Sequence, residues 1–157
     1  MIKKNNILYN FHDIFLLLSN LVTKKNLPNS IIIDGKKGIG KYTFADHLIN
    51  FIFTLNDKDT YKIKNFEINS DNKSYKLIQN DSHPNLYKIN LAEGKTSISV
   101  EQIRNMMNYV NKSSLNGEYK IILINHSEYL NKNSSNALLK ILEEPDRNFC
   151  FIILQNS

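Results

Sequence analysis

The chain has 157 residues, 41% of them hydrophobic and 22% charged, which suits one domain with its own core and excludes a disordered, collagen-like or coiled-coil chain. No apolar run approaches the roughly 20 residues of a membrane-spanning helix, and a single cysteine, Cys150, leaves no internal disulfide and no cysteine-based zinc knuckle, so a reducing cytoplasm is the simplest compartment. The net charge of +5 rests on 18 Lys against 2 Arg, beside 24 Asn and 21 Ile, a bias that an AT-rich genome writes into any protein and therefore poor evidence for a nucleic-acid surface.

Met1-Ile-Lys-Lys has the basic flavour of a signal peptide, but the apolar run that follows is short, is broken by Ser19 and Asn20 and lacks a small-residue cleavage site. Residues 11–25 space Phe11, Ile14, Phe15, Leu18, Leu21 and Val22 as a helix, with Asn10 as its cap and Pro28 beyond its end. Ser30 to Asp34 reads as a buried strand. Gly35 to Gly40 is a glycine-rich loop, and Thr43 to Phe53 a helix with Phe44, Leu48, Ile49 and Ile52 inward. Residues 54–80 are polar and weakly patterned, with a helical turn at Ser74 to Gln79 the only element they suggest. After His83-Pro84 a strand runs from Leu86 to Asn90. Ser99 and Gln102 form a capping box for a helix from Val100 to Val110. Asn116-Gly117 is a turn, Lys120 to Ile124 a strand, Ser134 to Glu143 a helix stopping before Pro145, and Phe149 to Leu154 a last strand. Strands alternating with helices imply an α/β fold with a parallel sheet and right-handed crossovers.

The chemistry concentrates after the first strand. Gly35-Lys36-Lys37-Gly38-Ile39-Gly40-Lys41-Tyr42-Thr43 fits the phosphate-loop pattern at Gly35, Gly40 and Lys41. Glycines let backbone N–H groups converge on an anion at a helix N-terminus, and the lysine reaches the outer phosphates. The hydroxyl that holds magnesium belongs at position 42, which is Tyr; Thr43 comes one residue late and points about 100° away on a helix. A relic loop whose glycines only make the turn fits the same residues.

Hydrolysis also asks for an acid, often Asp-Glu, at the end of a later strand. After Ile121–Ile124 this chain has Asn125 and His126, then Ser127 and Glu128. Asn125 offers a cation no charge. His126 is chemically able to act as a base and equally reads as an exposed loop histidine. Neither a catalytic residue nor a metal site is expected.

Four segments resemble the N-terminal nucleotide-binding domain of the clamp-loader subunits of bacterial DNA polymerase III, the gamma, tau and delta-prime family. They are Gly38-Ile39-Gly40-Lys41, His83-Pro84-Asn85, Ile98 to Arg104, and Ser135-Asn136-Ala137-Leu138-Leu139-Lys140-Ile141-Leu142-Glu143-Glu144-Pro145. The apolar positions of the last segment would serve as core in any helix; the whole string is what carries the resemblance. It implies a P-loop AAA+ type sheet with flanking helices, strand order 5-1-4-3-2, and Asn156 at the sensor position after the fourth strand. Active gamma and tau subunits keep Thr after the loop lysine and Asp-Glu after the third core strand; a four-Cys zinc module is frequent in the family. All three are missing here, which is closer to delta-prime. The Ser-Arg-Cys motif, the lid and the collar of the family would lie beyond Ser157, so residues 1–157 are expected to be one incomplete domain truncated after the fourth core strand.

The role implied is a non-hydrolysing stator of the loader that opens the sliding clamp and closes it on primed DNA. Its partners would be gamma, tau and delta subunits, with the clamp and primed DNA reached through the complex and no membrane. No cofactor is required, though ATP or ADP held without hydrolysis is compatible. The competing reading is a working P-loop ATPase such as a gamma-type motor.

Overall fold

The computed structural model describes residues 6–111, 119–143 and 149–157. The turn expected at Asn116-Gly117 and the helix stop at Pro145 lie outside those residues. The chain divides into two compact units, one of residues 1–27 and 40–83, the other of residues 28–39 and 84–157.

The second unit holds a four-stranded parallel sheet in the order β1-β4-β3-β2, formed by β1 (Ser30–Gly35), β2 (Leu86–Ile89), β3 (Lys120–Ile124) and β4 (Phe149–Asn156). The order matches the one the resemblance implies for these four strands. Helices α4 (Val100–Val110) and α5 (Lys132–Glu143) follow β2 and β3. Alternate residues of a strand share a face, so Ile122 and Ile124 of β3 line up with Phe149, Phe151 and Ile153 of β4. That face is buried together with Ile103 and Met106 of α4 and Leu138 of α5. Full burial of each such side chain stabilises by roughly 1.5–3 kcal/mol. The intervening residues Ile121, Leu123, Cys150 and Ile152 are buried too, which is why these central strands read as continuous apolar runs. Lys120 is also buried; its Nζ donates to the Tyr109 carbonyl at 3.3 Å and lies over the rings of Tyr109 and Phe149.

The capping box is formed as expected, Ser99 Oγ accepting from the Gln102 amide at 3.3 Å and Gln102 Oε1 accepting from the Ser99 amide at 3.1 Å. β1 sits at the sheet edge, as the strand order implied by the resemblance requires, but it is not the buried strand its composition suggests. It is an outer strand, its residues alternate between exposed and half-buried, and Ile32 is 65% exposed. A run of three isoleucines looks like a doubly covered strand, but among the described residues only one side of β1 pairs with a strand, β4.

The first unit holds α1 (His12–Thr23), α2 (Lys41–Thr54) and α3 (Lys73–Gln79). Phe15 is fully buried, with the rings of Phe44, Phe51, Tyr61 and Phe66 at centroid distances of 5.1–6.1 Å. Asn10 does not cap α1. The entry is made by Phe11 in the left-handed region (φ 67°), and His12 ties the turn down by donating Nε2 to the Leu8 carbonyl at 2.6 Å while its ring stacks on Phe66. Phe11 and Ile14, spaced with the apolar face, are exposed. Phe44, Leu48, Ile49 and Ile52 of α2 are buried as expected. The weakly patterned segment is ordered by scattered anchors. Tyr61 donates its hydroxyl to, or accepts from, His47 Nδ1 at 2.7 Å, and Asn72 caps α3 while donating to Asp57 and the Asp59 carbonyl.

Candidate functional site: a phosphate loop and a strand-end cluster

β1 ends at Gly35, and α2 begins at Lys41, two residues earlier than the apolar spacing suggests. Between them the chain turns through Gly38 (φ 87°) and Gly40 (φ 97°), both in the region that L side chains rarely adopt. The Phe44 amide closes the first turn of α2 on the Gly40 carbonyl at 2.9 Å. The loop is thus a strand–glycine turn–helix connection, the backbone shape that gathers N–H groups for an anion. Lys36, Lys37, Gly38 and Ile39 are exposed, and the Ile39 side chain folds back over Gly35, where its Cδ1 would lie 2.7 Å from an added Cβ. Lys41 is buried, Thr43 half-buried, and Tyr42 is 42% exposed in the first turn of the helix. No residue at position 42 supplies the short hydroxyl that a magnesium ion needs.

A separate group of polar residues lies at the carboxyl ends of the parallel strands, where open α/β sheets bind their ligands. Asn125 follows β3; its amide donates to the Ile89 carbonyl at 2.9 Å and its Nδ2 donates to Asn90 Oδ1 at 3.2 Å. This side chain is used to link two strand ends and carries no charge. His126 next takes a left-handed conformation (φ 61°) and opens a short 3-10 turn, Ser127–Tyr129. The Asn156 backbone, paired in register with Gly35 at the end of β4, brings that residue to the same place.

Glu128 joins them, and it is the member to which the sequence reading gave no role. Its carboxylate accepts from His126 Nδ1 at 3.0 Å, from the Asn156 amide at 3.1 Å and from Asn156 Nδ2. Asn156 Nδ2 also lies 2.9 Å from His126 Nδ1; with the Nδ1 proton directed at Glu128, both nitrogens converge on one carboxylate oxygen. Burial acts to raise the Glu128 pKa, but a hydrogen bond from its own backbone N–H, with those from His126 and Asn156, outweighs it and holds the carboxyl at about 2. His126 is therefore no freely exposed loop histidine; it is half-buried and engaged. Asn156 spends its side chain on Glu128. The only sequence signal for Glu128 was its place two residues after His126; its convergence with Asn156, 28 positions later, requires the sheet order.

The donor set fits one half of a nucleotide site. The glycine turn, helix start and Lys41 suit a phosphate group. For magnesium the residue types do not fit: position 125 offers an uncharged Asn where an acid is expected, and position 42 a Tyr where a short hydroxyl is expected.

A sheet of this order, a glycine turn between β1 and α2, and polar residues at the strand ends define a P-loop AAA+ type domain. Residues 12–157 match the family model described as DNA polymerase III, delta subunit, and the chain belongs to that family. Relatives are named DNA polymerase III subunit delta-prime. The Bacillus subtilis protein is 29% identical over 88% of this chain and 39% of its own length, and that of Buchnera aphidicola from Schizaphis graminum 31% identical over 85% and 39%. A gamma subunit from Buchnera aphidicola of Acyrthosiphon pisum is 26% identical over 87% of this chain and 35% of its own. In fold the chain is similar to a crystal structure of a DNA polymerase III gamma subunit-related protein from Thermotoga maritima (TM-score 0.62, 19% identity, 90% of this chain and 39% of that one). The chain spans about two fifths of the curated relatives it matches. Among the described residues no helix is long and apolar enough to cross a membrane.

Proposed function

We propose that this chain acts as the nucleotide-binding-type domain of a delta-prime clamp-loader subunit, a stator that braces the DNA polymerase III loader without hydrolysing ATP. The observation that carries the reading is the divided donor set: the loop keeps the glycines and Lys41, while Tyr42 and Asn125 stand where a magnesium-dependent hydrolase needs a hydroxyl and an acid. Phosphoryl transfer depends mostly on placing metal and charge around the transferred group, so losing both metal-orienting side chains removes the chemistry and leaves binding intact. The engagement of Asn156 with Glu128 and His126 supports the same conclusion, since a sensor side chain already hydrogen-bonded has to abandon a carboxylate before it contacts a phosphate.

The partners of this reading are gamma, tau and delta subunits, with the sliding clamp and primed DNA engaged through the assembly, in the cytoplasm. ATP or ADP would bind through the loop backbone and Lys41 without turnover. The test is nucleotide affinity with and without magnesium, together with ATP turnover, on the 157-residue chain. Affinity indifferent to magnesium and turnover at background are expected. Magnesium-enhanced binding with turnover that Lys41→Ala abolishes would establish a motor subunit instead. Pull-downs against gamma, delta and the clamp separately test the partner assignment.

A further inference from the structure

No further inference is drawn: the strongest candidate, the exposed apolar face of α1 that carries Ile14 and Leu17, is a bare helix surface, and nothing in the structure shows what covers it.

Discussion

Hydrogen bonds from its own backbone N–H, from His126 and from Asn156 converge on the Glu128 carboxylate, and the sign of their effect on stability follows from the shift they produce. The folded carboxyl titrates at about 2 against an ordinary 4.5, so between those values the unfolded chain binds the extra proton. The stabilisation from Glu128 is complete above pH 4.5 and is lost as the pH falls towards 2. His83 acts at higher pH. Its ring stacks on Phe53 at 4.0 Å, and burial lowers its pKa from 6.5 to about 4 despite the opposing charge of Asp57. An unfolded His83 therefore takes up its proton first, and stability falls as the pH drops from 6.5 to about 4. Urea midpoints measured against pH are expected to decline in two stages. His83→Phe, which keeps the stack, should flatten the upper stage, and Glu128→Gln the lower; a single stage untouched by either would refute the assignment. Gly38 tests the loop in the same way. Nothing lies within 4 Å of a Cβ added there, so Gly38→Ala meets only the backbone penalty of φ 87°, and a loss of about 1–2 kcal/mol is expected in urea unfolding. The site was half legible in the sequence. The residues from Gly35 to Lys41 announce themselves by spacing, because a phosphate loop is contiguous. Glu128 does not, because its partners come from the ends of two strands that become neighbours only in the sheet.

Secondary structure was legible where the signals are local. β3 spans Lys120–Ile124 and α4 spans Val100–Val110 as the sequence predicts, since an apolar run and a capping box need only their own neighbours. The capping box and the core contact of α4 separate two contributions to one helix. Ser99→Ala removes an acceptor for the Gln102 amide at a half-buried helix end and is expected to cost about 1 kcal/mol. Ile103→Ala removes a fully buried side chain from the cluster with Ile122 and Phe151, and about 2–5 kcal/mol is expected from the lost transfer energy and the cavity left behind. Equal losses for the two variants in urea unfolding would show that the helix is held by its end and not by its face. The misreadings also have a physical pattern. Residues 54–80 are fixed by Tyr61, Ile68, Asn72 and Ile78, single anchors too far apart to create a period. The start of α1 is set by His12 reaching Leu8 and Phe66, a tertiary arrangement that outranks the intrinsic capping preference of Asn10. β1 has the composition of a central strand and the position of an outer one.

That position bears on the behaviour of the whole molecule. The order β1-β4-β3-β2 leaves two outer strands, and they differ in protection. β2 is four residues long and carries Lys88, while β1 is six residues long, with Ile31, Ile32 and Ile33 in succession and its one charge, Asp34, near the end. Among the described residues no strand pairs with the outer side of β1, so its backbone N–H and C=O groups there are a template for another chain, and an exposed Ile32 adds apolar area to the contact. Two copies related by a two-fold axis can pair these edges antiparallel, which closes the assembly at a dimer and brings the two Ile32 side chains near each other. Light scattering across a concentration series is expected to show self-association of the 157-residue chain. Ile32→Lys places a charge at the centre of the edge and should reduce that association strongly. Because Ile32 is 65% exposed, the substitution should shift unfolding stability by no more than about 0.5 kcal/mol. If association persists unchanged in the variant while stability is preserved, the contact runs through another surface and the open edge is not the cause.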